Sequence, residues 1–412
     1  MTESLLIRHA RIATMDAEQT DGDPLALRED FAVLCAGGRI AWLGPTAGAP
    51  PADLVLEANG ALLTPGFVDP HTHLVFAGDR AGEHAQRLAG ASYLAIAAAG
   101  GGIASTVRTT RAASDADLLR GARGRLARML RAGVTTVEVK SGYGLSVEEE
   151  LRLLRLSREA GEGSGVAVIP TLLALHAVPP GVTREAWVEQ VLGELLPEAV
   201  RQGLAVGCDA FCEQGAFTAS ECHAVLSAAA RAGLTGHLHA DQLTPGHGAE
   251  LAASLSCASA DHLERTTPAG AAALARAGTT AVLLPLAAWF LREKEPAQAA
   301  PFLAAGASVA LGSNLNPGSQ RLESVSLLLA AGCLLAGLTP AQALWACTQG
   351  GARALRLADR GRLALGLRAD LVLFATKDPA HLPYHAGLEH AQLVVSQGRI
   401  VHDSRSESLN CS

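Results

Sequence analysis

Two histidines spaced two positions apart, His71 and His73, are the first residues in the chain whose type and spacing could do chemistry. They follow an apolar run at 61–63 and a Pro-Gly pair, as residues at the end of a strand would. Positions i and i+2 of a strand point to one face, so both imidazoles would be presented side by side. Neutral imidazole is the commonest protein ligand for zinc and also suits iron and nickel. A His-x-His pair alone more often marks polar residues in a loop, so this interpretation depends on the rest of the chain.

The segment that opens with this pair contains eight strand-like runs in succession, several of them preceded by an amphipathic helical stretch. The first run carries the His-x-His pair, and the others lie at 135–140, 166–172, 208–212, 235–239, 256–262, 280–285 and 308–312. Four of the helical stretches end in a glycine, as expected at a helix C-terminus; these are Gly133, Gly233, Gly278 and Gly306. Eight β-α units predict the α/β class and a TIM (β/α)8 barrel rather than an open sheet.

Polar residues collect where these strands end, which in a barrel of this type is the side that carries the chemistry. In strand order they are His71 and His73, then 140–143, His176, Glu213, 239–242, 261–262 and, after strand eight, 314–319. Histidines scattered through a core would not share one rim. This distribution therefore favours a functional role for the His-x-His pair.

A third histidine after strand five, His239, would complete a metal site with the first two. His237 shares its strand face by spacing and stays an alternative for that position. Three histidines with one open coordination position match a catalytic metal, which brings the pKa of bound water close to neutral.

The two ends of the chain resemble each other and differ from the middle. Both consist of short strand-like runs and turns, and a Gly-Arg-Ile sequence follows a turn at 38–40 and again at 398–400. Neither end could bury its apolar face alone, so we predict one small composite β-sandwich domain built from both termini. The predicted boundaries are 1–62 plus 360–412 for this domain and 63–359 for the barrel.

Composition excludes several classes of protein. The 412 residues are 49% hydrophobic and 18% charged, which describes a well-cored globular chain. A net charge of -7, without a basic stripe, argues against a nucleic-acid partner. The eight cysteines form no CxxC pair, which favours free thiols in a reducing compartment. The N-terminus lacks a secretory pattern, and the apolar runs at 279–291 and 327–338 are too short to span a bilayer. We therefore predict a cytoplasmic protein without a membrane segment.

The opening strand, Pro-Gly-Phe-Val-Asp-Pro-His-Thr-His at 65–73, resembles the motif of the amidohydrolase superfamily. Further blocks are more specific than this motif, namely Gly-Gly-Gly-Ile at 100–103, Lys-Ser-Gly-Tyr-Gly-Leu at 140–145, His-Ala-Asp-Gln at 239–242 and Asn-Pro-Gly-Ser at 316–319. Within the superfamily they resemble the enzymes of histidine degradation that open a cyclic amide. The resemblance implies hydrolysis of 4-imidazolone-5-propionate to N-formimino-L-glutamate.

The resemblance also implies the residues of the site, by position. The metal would be one divalent or trivalent ion, Zn or Fe, and the chain a homodimer acting on a small-molecule substrate. The implied metal ligands are His71, His73, His239 and the position of Asn314, and the implied catalytic residues are His262, Asn314 and Gln242. The implied substrate contacts are Arg80, Tyr143, His176, Gln242, Asn316, Gly318 and Ser319.

Physical roles follow for most of these residues. Arg80 can hold the propionate carboxylate in a bidentate pair. Tyr143 and His176 can donate to the ring carbonyl or to the carboxylate. The backbone at 318–319 could form a nest of donors for an oxygen, although an ordinary turn fits the spacing equally well. His262 would stabilise a developing oxyanion or move a proton, with Asp261 as a possible orienting neighbour.

One position departs from the family pattern. After strand eight the family places an aspartate that binds the metal and accepts a proton from the attacking water, and here the residue is Asn314. A neutral amide cannot act as a base. A deliberate substitution and a natural divergence that weakens or re-routes catalysis both fit. Asn314 suggests one alternative, a catalytically silent ligand-binding member. Another cyclic amidohydrolase or a deaminase of the same architecture is the second alternative.

Overall fold

The computed structural model describes residues 4–16, 23–91, 100–388 and 390–405. Cys411, one of the eight cysteines, lies outside these ranges. Two separate eight-stranded sheets organise the chain, one formed by the middle of the sequence and one by its two ends.

The first sheet is a barrel of parallel strands that follow one another in chain order, which confirms the predicted TIM-type architecture. Its strands are β6 (Phe67–Asp69), β7 (Val134–Lys140), β8 (Ala167–Leu175), β9 (Gly207–Cys212), β10 (Thr235–Ala240), β11 (Ser259–His262), β12 (Thr280–Leu283) and β13 (Val309–Leu311). Almost all their residues are buried, as expected when parallel strands are covered by helices.

The first and last barrel strands meet beyond their regular ends. The backbone N–H of Asn314 donates to the His71 carbonyl and that of His73 donates to the Leu315 carbonyl, each at 2.9 Å. Thr72 and Leu315 form an isolated parallel bridge. The histidine pair and the segment after strand eight are therefore neighbours because the barrel closes through them.

The second sheet takes strands from both ends of the chain in the order β16-β15-β14-β5-β1-β2-β3, with β4 beside β1. The strands are β1 (Leu5–Ala13), β2 (Leu27–Ala36), β3 (Arg39–Pro45), β4 (Leu54–Glu57), β5 (Leu62–Pro65), β14 (Leu371–Phe374), β15 (Ala391–Ser396) and β16 (Arg399–Asp403). Ile7, Val33, Leu371 and Leu393 are among the residues of its own apolar cluster. The predicted domain boundaries, 1–62 plus 360–412 and 63–359, stay a prediction.

The apolar run before the His-x-His pair belongs to a different sheet from the pair itself. Strand β5 ends at Pro65 and pairs with β1 and β14, whereas β6 begins at Phe67 and pairs with β7. Gly66 makes the change of sheet possible, because a Cβ at this position would lie 2.1 Å from Thr135 Oγ1. The two histidines follow β6 rather than lying within a long opening strand.

Helices lie between the strands, and many begin at a hydroxyl cap. In the described part of the chain the α-helices are α1 (Ala81–Leu88), α2 (Ile103–Ala112), α3 (Asp115–Arg131), α4 (Val147–Gly161), α5 (Arg184–Gln190), α6 (Leu196–Arg201), α7 (Ala219–Arg231), α8 (Gly248–Ser254), α9 (Pro268–Ala277), α10 (Pro285–Leu291), α11 (Ala300–Ala305), α12 (Val325–Leu334), α13 (Pro340–Trp345), α14 (Gly351–Ala354) and α15 (His381–Tyr384). A Ser or Thr side chain accepts a backbone N–H at the start of α3, α4, α5, α7, α9, α12 and α13. The four glycines predicted at helix ends all have positive φ. No helix in the described ranges is long and apolar enough to cross a membrane.

Candidate active site

Three buried histidines converge at the C-terminal ends of barrel strands. His71, His239 and His262 each offer one ring nitrogen, and these three atoms all lie within 4.8 Å of one another. The ring centroids of His71 and His239 are 4.5 Å apart, and those of His239 and His262 are 5.4 Å apart. The three residues come from strand ends one, five and six, so barrel closure creates the cluster.

His73 lies directly beside this cluster. Its ring centroid is 5.4 Å from that of His71 and 5.6 Å from that of His239, and its Nδ1 is buried without a hydrogen-bond partner. The tightest triad thus contains His262, whereas the resemblance implied His73 as a ligand. The ring centroid of His262 lies 5.8 Å from that of His71 and 5.4 Å from that of His239, distances similar to those of His73, so the ligand set stays a prediction.

Carboxylates orient two of the three histidines. Nδ1 of His71 donates to Asp261 Oδ2 at 2.6 Å, which leaves the buried Nε2 of His71 without a partner. Nδ1 of His239 lies 3.0 Å from Asp209 Oδ2 as an ion-pair contact without hydrogen-bond geometry, and its Nε2 has no partner. A carboxylate on one ring nitrogen is the usual arrangement behind a metal-binding histidine, because it fixes the tautomer and the ring orientation.

Burial favours the neutral form of the His71, His73 and His239 rings. Burial, with the positive charge of Lys140 as the next cause, holds the pKa of His71 well below its usual range. The pKa of His73 is likewise lowered by burial and by His176, and burial also lowers the pKa of His239. A neutral imidazole has a lone pair to give to a cation. The buried, unpartnered nitrogens of His71, His73 and His239 on neutral rings therefore fit a metal ion.

Tyr143 and His176 form one wall of the site. His176 stacks on His73 with centroids 5.1 Å apart and donates from Nδ1 to the Gly142 carbonyl at 2.9 Å. Tyr143 packs against both histidines, at 5.7 Å from His73 and 5.4 Å from His176. Burial lowers the pKa of His176 to about 4 and raises that of Tyr143. Both side chains therefore face the cluster as neutral polar groups.

His262 has an acidic neighbour that the sequence did not single out. Nδ1 of His262 lies 3.6 Å from Oε1 of Glu264, and Oε2 of this buried carboxylate has no hydrogen-bond partner. His262 and Leu263 both have positive φ, at 79° and 72°. Such backbone is uncommon for residues with a Cβ, and it is found preferentially at functional sites.

Asn314 is buried beside the first barrel strand. Its φ of 54° is left-handed, a conformation that asparagine and aspartate adopt more readily than other residues with a side chain. Its Oδ1 lies 3.3 Å from Nδ2 of Asn316, which also donates to the Asn314 carbonyl at 2.7 Å. The backbone bond to His71 places this residue next to the histidine pair.

The predicted donor nest at 318–319 is occupied by a side chain of the protein. The backbone N–H groups of Gly318 and Ser319 both donate to Asn316 Oδ1 at 2.8 Å. A substrate oxygen would have to replace that amide oxygen to use them. The segment at 318–319 therefore forms an ordinary turn, which was the alternative to a donor nest. A role of Gly318 and Ser319 in substrate binding stays a prediction.

Arg80 packs directly against Gly318. Its Nη1 lies 2.0 Å from where a Cβ of Gly318 would stand, so only glycine allows the approach. The guanidinium also pairs with Glu83 at 2.8 Å through Nε and Nη2. Arg80 thus joins the start of α1 to the loop after strand eight.

His237 lies within the fifth barrel strand, β10, and Gln242 lies in the loop that follows it. Gln242 is half-buried in a loop that Glu213 fixes by accepting from the Leu243 N–H at 2.8 Å. His237 lies two residues before His239, and its Nδ1 bonds to Ser259 Oγ at 3.0 Å.

Lys140, which the sequence placed among the polar residues at the strand ends, is buried and paired with carboxylates, and these pairings were not predicted. Lys140 Nζ lies 2.9 Å from Glu138 Oε1 and 2.8 Å from Asp209 Oδ2. Burial alone would lower the pKa of Lys140, but Asp209 and the other carboxylates outweigh it and raise the pKa. The sequence does carry a signal for these pairings, because charged residues inside buried strands must be paired.

Comparison with known proteins gives matches along the whole chain. The profile of the amidohydrolase family matches residues 62–401. The imidazolonepropionase of Anaeromyxobacter dehalogenans is 50% identical over 420 residues, covering 99% of this chain and 98% of that protein. The imidazolonepropionase of Myxococcus xanthus is 48% identical over 406 residues, with 96% of each covered. The structure of 5-methylcytosine deaminase from Klebsiella pneumoniae has a TM-score of 0.73 at 18% identity, covering 97% of each chain, which shows a shared fold.

Proposed function

Because the chain belongs to the amidohydrolase family, and within it to the imidazolonepropionases, we propose that it hydrolyses the cyclic amide of 4-imidazolone-5-propionate to N-formimino-L-glutamate. The chain is a hydrolase of histidine degradation. The convergence of His71, His239 and His262 at the mouth of the barrel supports a hydrolytic metal site, and the 50% identity to an imidazolonepropionase supports the specific reaction.

The family is generally metal-dependent, and we propose one zinc or iron ion for this chain. His71, His73 and His239 would hold it, with the amide oxygen of Asn314 as a weak fourth ligand. When bound, such an ion supplies a Lewis acid and lowers the pKa of a coordinated water to about 7. The unpartnered Nε2 atoms of His71 and His239 support this assignment.

The protein's own residues would hold the substrate and move the proton. His262, next to Glu264, takes up a proton as water adds to the carbonyl carbon and stabilises the negative charge that develops on the carbonyl oxygen. It returns the proton to the ring nitrogen as the C–N bond breaks. Tyr143 and His176 donate to the ring or to the carboxylate, and Gln242 contacts the substrate from the fifth strand end. The wall of neutral, buried rings excludes water from this side and strengthens each of these interactions.

Replacement of Arg80 by Gln is expected to raise KM for imidazolone propionate roughly ten- to a hundredfold, with a smaller change in kcat. The reason is that a hydrogen bond to a charged group contributes about 1.5–3 kcal/mol, and the propionate tail would lose its cationic partner. Steady-state kinetics on both parameters measures the split. Arg120→Gln, a change on the exposed face of α3, is the matched control and should leave both parameters unchanged. Equal KM for Arg80→Gln and the parent protein would contradict this role.

The proposed reaction is tested by loss of imidazolone propionate and formation of N-formimino-L-glutamate with zinc- or iron-loaded protein. Turnover is expected in the chain as it stands and more strongly in Asn314→Asp. If neither form turns the substrate over with either metal, the proposed function is wrong. A panel of cyclic amides and aminopurines separates it from another cyclic amidohydrolase or a deaminase.

Asn314 favours a second candidate, a ligand-binding member without catalysis. A neutral amide where the family has a carboxylate removes the expected base while leaving the pocket intact. Tight binding of N-formimino-L-glutamate by metal-loaded protein without any turnover would support this candidate.

We further propose a homodimer that acts in the cytoplasm on a small molecule, without a nucleic-acid partner. The seven cysteines in the described ranges are unpaired, as in a reducing compartment. Leu334, Tyr384 and Leu388 expose 83%, 81% and 57% of their surface beside α12 and α15, and such apolar patches are typical of subunit interfaces.

A further inference from the structure

Lys140 stands at the centre of a buried ionic cluster, which we call the Lys140 cluster and which consists of Lys140, Glu138, Asp209 and Asp261. Besides the contacts to Glu138 and Asp209, Nζ lies 3.5 Å from Asp261 Oδ2, and all four side chains have no exposed surface. The residues come from β7, β9 and β11. One ammonium group therefore joins three alternate strands of the barrel.

Each carboxylate of the cluster also reaches the histidine site. Asp261 Oδ2, the oxygen near Lys140, accepts from His71 Nδ1 at 2.6 Å. Asp209 Oδ2, the oxygen that pairs with Lys140, lies 3.0 Å from His239 Nδ1. Glu138 Oε2 accepts from the backbone N–H of Thr72 at 3.3 Å, between the two histidines of the pair.

The aspartate oxygens that contact Lys140 also contact the histidine rings, so the position of the lysine affects the positions of the rings. The same atom of each aspartate contacts the ammonium on one side and a histidine ring on the other. Without a cation between them, the aspartates would be two buried like charges that repel each other. Their movement would carry the rings of His71 and His239 with them, because each carboxylate fixes the orientation of its ring.

We propose that Lys140 is a positioning residue of the metal site, which sets the geometry of His71 and His239 through Asp261 and Asp209. This inference rests on the proposed function, since it takes these histidines as metal ligands. It assigns to the lysine a role beyond charge balance in the core, namely control of metal affinity and of ligand geometry.

The test compares metal binding in Lys140→Met with that in the parent protein. Methionine is close to lysine in length and lacks the charge. The dissociation constant for Zn²⁺, measured by competition with a chromophoric chelator, is expected to rise roughly 10–100-fold, the usual effect of losing a group behind a metal ligand. The visible absorption bands of the Co²⁺-substituted protein are expected to shift as the ligand geometry changes. Lys294→Met, at an exposed loop position, is the matched control and should change neither quantity.

Adding Lys140→Met to a protein in which both aspartates are already replaced tests whether the lysine acts through them. In an Asp209→Asn, Asp261→Asn background, Lys140→Met should change the Zn²⁺ dissociation constant by less than about threefold, because interacting residues are not additive. An undiminished effect in that background would overturn the proposed route.

The remaining outcomes separate this inference from the proposed function. If the parent protein binds Zn²⁺ and Lys140→Met binds it with the same constant and Co²⁺ spectrum, the role of Lys140 is overturned and the proposed function stands. If the parent protein binds no metal, the role of Lys140 and the proposed function are both wrong. If Lys140→Met is folded only when metal is bound, Zn²⁺ titration should restore the fold. The inference is supported if this needs a higher Zn²⁺ concentration than Lys294→Met needs for saturation. Absence of recovery at saturating Zn²⁺ overturns it.

Discussion

Replacement of His239 by Gln is expected to remove the bound metal and to lower turnover of imidazolone propionate by on the order of a thousandfold. A metal acting as a Lewis acid contributes several kcal/mol to the transition state, and each 1.4 kcal/mol is about tenfold in rate. Glutamine fills much of the same volume but is a poor ligand for zinc. Elemental analysis after dialysis, with kcat measured on the same sample, gives both quantities.

The matched control is His237→Gln, because His237 lies on the same strand two residues earlier and is also buried. Its Nδ1 contacts Ser259, and a glutamine can keep a hydrogen bond to that hydroxyl. We expect one metal ion per chain and turnover close to that of the parent protein. The opposite pattern, with metal lost in His237→Gln and retained in His239→Gln, would show that the third ligand had been assigned to the wrong residue.

The barrel could be predicted from the sequence because each of its parts leaves a local signal. Strand-like runs recur with glycines at helix ends, and Gly133, Gly233, Gly278 and Gly306 do adopt positive φ. The change of sheet at Gly66 could not be predicted in the same way. It depends on the contact between residue 66 and Thr135, two positions that are distant in the sequence. The apolar run at 61–63 and the residues after the Pro-Gly pair therefore looked like one strand where the structure has two.

The convergence of His71, His239 and His262 could be predicted from the sequence, but the partners of these histidines could not. The rim position of each histidine follows from the strand it ends, so barrel closure brings them together. The partners of those histidines depend on register across several strands. Asp209 lies within β9 and Lys140 ends β7, and their 2.8 Å contact joins strands that are not adjacent. The contact between Arg80 and Gly318 could not be predicted either, because it depends on how α1 packs against the loop after strand eight.

Asn314→Asp is expected to raise kcat at least about tenfold, since a general base contributes roughly 10²–10⁴ in rate. The substitution is nearly isosteric, and aspartate tolerates the left-handed φ of 54° at this position. The new carboxylate would lie beside the His71 backbone, where it can bind the metal and accept the proton of the attacking water. The base must be ionised to act, so the activity gained should be lost as the pH falls through the pKa of that carboxylate. A kcat–pH profile of both forms measures the size of the gain and its acid limb.

Asn59→Asp is the matched control for this change. Asn59 is exposed in the other sheet's domain and has nearly the same backbone conformation, with a φ of 53°. The control therefore adds one negative charge at a left-handed asparagine far from the histidines, and we expect kcat and its pH profile to stay unchanged. Equal rates for Asn314→Asp and the parent protein would remove residue 314 from the proton transfer. The buried carboxylate of Glu264, beside His262, would then be the acidic group left to accept the proton.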